Sequence, residues 1–285
     1  MRTPTEKRKM LRELMAGPKM IIAPACGMPI EARLVQDVGY QAIHGAGSVA
    51  HQISVYEDAG LLTLTEMVQR MTALSEVADI PVMADADTGF GNVANVVRTI
   101  REYERSGCAG LHLEDTVAKM GYGAEISVIS RTEFVNKIKA AVDTRVDESF
   151  VIIARSENRA DFAEFTDRML ECLEAGADGC WVSGALGEDN IRALRKRVKQ
   201  PFMGVLPRGI TADQFKDWGA NLGVIPGSME LAALHAQRQF LKSMQATGSP
   251  APYFEDIEGL DETRKFVARQ GKEEFESIMK RFGGV

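Results

Sequence analysis

Eight short apolar runs, each followed by a helical pattern, constrain this chain more than any other feature of its sequence. The runs are 20–25, 41–44, 81–84, 110–114, 150–154, 179–182, 202–206 and 222–225. Most lack polar alternation, as expected for strands covered on both faces of a parallel sheet. Between them lie amphipathic stretches such as Asn92–Ser106, Arg131–Asp143, Asp161–Ala175 and Glu188–Val198. The steps Ser106-Gly107, Ala175-Gly176 and Trp218-Gly219 read as helix C-caps. An open doubly wound sheet of similar strand number competes with this reading, but eight strand–helix units select a (β/α)8 TIM-type barrel.

No Pro/Gly/Ser-rich linker divides residues 1–247, so they are expected to form one catalytic barrel. A break at Thr247-Gly248-Ser249-Pro250-Ala251-Pro252 sets off residues 248–285 as a helical extension. Its patterns at Asp261–Arg269 and Lys272–Arg281 carry apolar stripes suited to a second subunit. At the other end, Thr3, Pro4 and Glu6 fit a capped helix start, and no apolar h-region follows Lys7-Arg8-Lys9. With no membrane-length apolar segment, a soluble cytoplasmic protein is expected. A formal charge of -6 argues against nucleic-acid binding, which requires a basic footprint. The four cysteines (26, 108, 172 and 180) form no C-x-x-C pair and read as buried small hydrophobes.

Catalytic groups of such a barrel sit at the C-terminal strand ends and the loops beyond them. The third run ends Ala84-Asp85-Ala86-Asp87-Thr88-Gly89-Phe90-Gly91, where two carboxylates two residues apart call for a cation, with Mg2+ or Mn2+ suited to oxygen ligands. The same pair would also serve an Asx-type turn with Asp87 capping the next helix. In the fourth run, Leu111-His112-Leu113-Glu114-Asp115, a period of two places His112 and Glu114 on one face. Glu114 then reaches the rim with Asp85 and Asp87 to make a three-carboxylate metal site, and His112 faces the ligand or fills the core. Arg155, at the end of the fifth run, is suited to hold a substrate carboxylate bidentately, or to pair with Glu157 or Asp87.

The strings Asp85–Asn92, Gly110–Asp115 and Phe150–Arg155 together resemble the isocitrate lyase/phosphoenolpyruvate mutase superfamily, and the resemblance runs from about Lys7 to Met244. Ala25, Gly45-Ala46-Gly47 and Asp58 match it as well. The resemblance implies a (β/α)8 barrel, Mg2+, a homotetramer with C-terminal helices exchanged between subunits, and a pyruvate-enolate-type intermediate. The matching positions give a substrate site of Ala25, Gly45, Ala46, Gly47, His112, Arg155 and Glu157, with Asp58 as base or nucleophile. Ser183 and Arg208 are expected to complete it where the chain departs from the family, Arg208 as an alternative anion contact or a solvent-facing loop residue. The chain also departs from the pattern. The superfamily's lyases place a cysteine and a histidine in the loop after the fourth strand, where this chain has Ala118-Lys119-Met120-Gly121-Tyr122-Gly123. Lys119 and Tyr122 are the residues left there for proton transfer. Val182-Ser183-Gly184-Ala185 replaces the lyases' glutamate, Arg208 stands near a missing asparagine, and the mutase Lys-x-Asn-Ser loop has no match.

A methylisocitrate lyase-like member without the cysteine loop is thus expected, breaking a C–C bond of a small 2-hydroxy or 2-oxo dicarboxylate. A phosphonopyruvate-type C–P mutase or hydrolase, an oxaloacetate-type decarboxylase and a non-catalytic dicarboxylate-binding barrel are the alternatives. The glycine-bearing segment Val117–Ile126 is expected to gate the site against water.

Overall fold

A computed structural model describes the chain apart from residues 118–125, 159, 183–185, 256 and 284–285 and the side chains of 273 and 274. The expected strands form: β1 (Ile21–Pro24), β2 (Ile43–Gly45), β3 (Val82–Asp85), β4 (Gly110–Glu114), β5 (Val151–Arg155), β6 (Gly179–Trp181), β7 (Phe202–Val205) and β8 (Leu222–Ile225). Helices α1 (Pro4–Ala16), α2 (Pro29–Val38), α3 (Gly47–Ile53), α4 (Leu64–Val77), α5 (Val93–Arg105), α6 (Arg131–Thr144), α7 (Phe162–Glu174), α8 (Glu188–Arg197) and α9 (Ala212–Trp218) lie between and before them. All strand pairs are parallel, in the order β1-β8-β7-β6-β5-β4-β3-β2. The seam between β1 and β2 is bridged at Ala25 and His44, where the Cys26 N–H donates to the His44 carbonyl at 2.9 Å. The result is a nearly closed (β/α)8 barrel.

Period-two alternation gives the barrel two cores. Residues such as Ile43, Val82, Leu111 and Ile152 face the helix layer, where they pack with Met67, Tyr103, Phe134 and Phe165. Ile21, Ala23, Met83, Val151, Ile153, Trp181, Met203, Leu222 and Val224 form a second cluster with Leu11 and Met15 of α1. This second cluster is the barrel interior, and α1 plugs its N-terminal end. The Thr3/Glu6 capping box starts α1 as read from the sequence. Arg8 and Arg12 fasten the plug by donating to the carbonyls of Cys108 and Ser149 and pairing with Asp147 and Asp178.

The C-caps expected at glycine also form, with Gly107, Gly176 and Gly219 at positive φ. All four cysteines are buried and free. Burial pushes the Cys180 thiol up to about 12, so it is no nucleophile. No described helix is long and apolar enough to cross a membrane.

The chain divides into compact units Met1–Met229 and Glu230–Val285. The second holds most of α10 (Ser228–Thr247) with α11 (Ala251–Glu255), α12 (Leu260–Arg269) and α13 (Lys272–Phe282). The boundary expected at 247/248 falls at the end of α10, whereas the compact units divide in its first turn.

Adjacent parallel strands approach most closely where a glycine removes a side chain. A Cβ on Gly204 of β7 would overlap the Val182 carbonyl oxygen beyond β6. Gly204→Ala should therefore cost at least about 2 kcal/mol through overpacking, seen as a lower denaturant midpoint with an unchanged m-value.

Candidate active site

The interior face changes character towards the C-terminal rim. One step of two beyond Met83 comes Asp85; His112 is followed by Glu114, and Ile153 by Arg155. Strand register sets Asp85 opposite His112, Glu114 opposite Arg155, and Arg155 opposite Trp181. Three neighbouring strands thus contribute one polar layer, flanked by Trp181 of β6, above an apolar floor.

Asp85, Asp87 and Glu114 are all buried, at 3%, 4% and 1% exposure. Asp85 Oδ1 accepts from the Asp87 N–H (2.9 Å) and Oδ2 from the Gly47 N–H (3.2 Å). Asp87 is not the cap of α5; Asn92 is, accepting from Ala94 and Asn95. Asp87 instead adopts a left-handed conformation (φ 47°), which an aspartate tolerates at a cost of about 1 kcal/mol. A Cβ on Gly47 would lie 2.9 Å from Asp85 Oδ2 and 3.3 Å from Asp87 Oδ1, so the two carboxylates share the space that this glycine leaves open. Glu114 turns elsewhere, accepting from Thr116 Oγ1 (2.7 Å) and pairing with Arg155 Nη2 (3.2 Å). Among the described residues no three His, Cys, Asp or Glu side chains stand as one ready-made ligand set. Asp85 and Asp87 nevertheless suit a hard divalent cation: hard oxygen donors, buried, and converging on a cradle that a methyl group would fill. Glu114 is placed to act on such an ion at one remove.

Arg155 realises the alternative pairing with Glu157. Its Nε and Nη2 both reach Glu157 Oε1 (2.8 and 2.7 Å), its Nη1 lies 3.9 Å from Asp85 Oδ2, and its guanidinium covers Trp181 at 4.7 Å. Burial alone would lower its pKa; Glu114, Asp85, Asp87 and Asp58 outweigh burial and raise it. The guanidinium is fixed on one edge by protein and stays cationic, which is the preparation a carboxylate clamp requires.

The other expected site residues fall in three groups. His112 is fully buried between His44 and Asp85, not at an open wall, and Ala25 and Ala46 are buried beside the seam. Gly45 ends β2, and the Gly47 N–H is engaged by Asp85. Asp58 lies partly exposed, 3.4 Å from His51 Nδ1; His51 in turn accepts from the Leu62 N–H and contacts the Gly47 carbonyl, which ties the 54–62 loop to α3. Arg208 is exposed on the loop after β7. Lys119, Tyr122 and Ser183, with most of the segment expected to gate, lie outside the described residues. Sequence reasoning missed His44 and Trp181; both sit on the interior period, and that alternation was the available signal.

Behind the rim, Asp115 binds the supports together. It accepts from Ser156 Oγ (2.6 Å), Arg168 Nη1 (3.0 Å) and the Glu157 N–H (2.9 Å), so it positions the residue that grips Arg155.

A (β/α)8 barrel with a buried carboxylate cluster and a paired arginine at its C-terminal rim is the layout of a barrel enzyme for an anionic substrate. The chain belongs to the phosphoenolpyruvate phosphomutase family, which it matches over residues 11–245. It is 34% identical to 2,3-dimethylmalate lyase of Eubacterium barkeri over 275 residues, covering 90% of this chain and 95% of that one. It is 33% identical to an oxaloacetate decarboxylase of Pseudomonas fluorescens (strain SBW25) over 244 residues, covering 84% of each. The solved structure of phosphonopyruvate hydrolase with oxalate and Mg++ superposes with a TM-score of 0.85 at 26% identity, covering 97% of this chain and 99% of that one. The expected superfamily and fold are borne out, and the expected enzyme class, a lyase of this superfamily, is the one such relatives carry.

Burial pushes the Asp115 carboxyl up to about 6, against the lowering effect of Ser156 and Arg168. Between about pH 4 and 6 the folded chain therefore holds a proton that the unfolded chain, with an aspartate at about 3.9, has released. Stability should fall as pH rises through that window, by up to about 3 kcal/mol, and level off above it. Asp115→Asn should lack this slope in urea unfolding; parallel curves would refute the assignment.

Proposed function

We propose that the chain is a Mg2+-dependent lyase that breaks a C–C bond of a small 2-hydroxy or 2-oxo dicarboxylate and releases a 2-oxo acid such as pyruvate. The observation that carries this reading is the buried Asp85–Asp87 cradle over Gly47, with Glu114 and Arg155 beside it. When bound, a divalent ion would supply Lewis-acid stabilisation of the charge that develops on the substrate's 2-oxygen. Asp85 and Asp87 are the residues to hold it, with Glu114 acting through water.

The chain's own groups do the rest. Arg155, fixed by Glu157 and stacked on Trp181, presents a planar cation to a substrate carboxylate. Asp58, held near His51, is the base on the described rim. Lys119 and Tyr122 are the proposed proton donors in place of the superfamily's cysteine. Their segment, following directly on β4, would exclude water during turnover.

A second reading is decarboxylation of an oxaloacetate-type substrate. It is favoured by the replacement of the cysteine–histidine loop and by the oxaloacetate decarboxylase likeness. The test is a set of incubations with Mg2+ and 2,3-dimethylmalate, methylisocitrate or oxaloacetate, reading 2-oxo acid or CO2, beside phosphorus NMR on phosphonopyruvate. Asp87→Asn keeps a residue that tolerates positive φ and should lower Mg2+-dependent turnover at least about 100-fold while preserving the fold. Full activity of that variant, or of the unaltered protein in excess chelator, would overturn the metal reading.

The expected homotetramer, a dimer of helix-swapped dimers, is likewise a proposal. In the second unit, Phe275 and Phe282 are 63% and 71% exposed, beside exposed Val267, Ile278 and Met279. An apolar stripe of this kind is what a neighbouring copy would cover. The full chain carrying Phe275→Glu and Phe282→Glu should give a smaller mass in light scattering; an unchanged mass would refute this stripe as the assembly face.

A further inference from the structure

The two histidines of the barrel interior touch each other directly. His44 on β2 and His112 on β4 bring their Nε2 atoms to 3.0 Å, with ring centroids 5.3 Å apart. Both are buried, at 3% and 0% exposure, and Trp181 packs on them at 6.1 and 4.6 Å. On its other side, His112 Nδ1 lies 3.6 Å from Asp85 Oδ1.

Two neutral imidazoles share one proton across such a contact, so one nitrogen donates and the other accepts. If His112 donated, its Nδ1 would turn a bare lone pair towards the Asp85 carboxylate. If His44 donates, His112 Nδ1 carries the hydrogen and attracts Asp85 Oδ1. The consistent arrangement is His44 Nε2–H to His112 Nε2, and His112 Nδ1–H towards Asp85.

We propose that His44 is a positioning residue, which sets His112 in its Nδ1–H tautomer and thereby orients Asp85 towards the space over Gly47 where a divalent cation would sit. Asp85 Oδ1 is then faced by the Asp87 N–H and His112, and Oδ2 by the Gly47 N–H on the side of the cradle, with Arg155 Nη1 at 3.9 Å. The inference rests on the reading of Asp85 as a metal carboxylate.

The chain has four histidines, so the full-length protein labelled with 15N-histidine gives a readable tautomer spectrum. In metal-free protein, His112 should appear as the Nδ1–H form and His44 as the Nε2–H form. His44→Gln, whose amide also donates, should keep the His112 pattern, and His44→Phe should lose it. Mn2+ titration followed by electron paramagnetic resonance should show binding weakened about tenfold by His44→Phe and within about twofold for His44→Gln. His112 in the Nε2–H or doubly protonated form in the unaltered protein would overturn the proposal, as would unchanged Mn2+ affinity in His44→Phe. Absence of Mn2+ binding by the unaltered protein would overturn the cation reading alone, because the tautomer is read without metal.

Discussion

Three buried carboxylates around one half-buried guanidinium set the conditions for everything else at the rim. Each charge taken out of water costs several kcal/mol. A single opposite charge at about 4 Å returns roughly 4 kcal/mol at an effective dielectric of ~20. Among the described residues Arg155 faces Glu114, Glu157 and Asp85 together, and one cation does not balance that set. The described part of the rim therefore carries more negative than positive charge, which the proposed divalent cation would offset. The floor beneath it, from Leu11 and Met15 to Met203 and Val224, is apolar and well filled, so it does nothing to screen that charge.

The helix layer keeps the rim in place. Tyr103 of α5 donates to the Asp85 carbonyl (2.8 Å), Thr99 to the Gly89 carbonyl (3.0 Å), and Lys137 of α6 to the Thr88 carbonyl (3.0 Å). These three bonds straddle Asp87 and its left-handed backbone, and they supply the outside constraint that a strained conformation needs to persist. Behind β4 and β5, Asp115 and Arg168 do the same for Glu157 and hence for Arg155. Preorganisation of the site is thus distributed over α5, α6 and α7, none of which supplies a metal-binding or substrate-binding side chain in the reading given above.

The chemistry of the family and the departures of this chain meet at the segment after β4. The rim supplies charge stabilisation and a clamp whatever bond is broken, which is why lyase, decarboxylase and phosphonate chemistries can share one scaffold. In the proposed reading the proton donor would come from residues 118–123, where the sequence departs from the lyase pattern.

Local sequence was enough for the architecture. The runs 110–114 and 222–225 match β4 and β8 end to end, because periodicity and flanking turns are local properties. The run at 41–44 became Ile43–Gly45, since pairing of Ile43 with Val82 and Gly45 with Ala84 sets that strand. The same-face argument correctly joined His112 to Glu114, and Asp85 was legible as a strand end. What the sequence by itself determined, then, is the alternation that sends one residue in two inward and the polar residues that occupy the last inward positions. Which of those residues touch was decided by the closing of the barrel. His44 meets His112 across 68 positions, Arg155 prefers Glu157 and Glu114 to Asp87, and the Gly47 N–H reaches Asp85. Hydrogen bonds and ion pairs depend on distances of a few tenths of an ångström, and strand register and closure set those distances between segments that no local pattern relates.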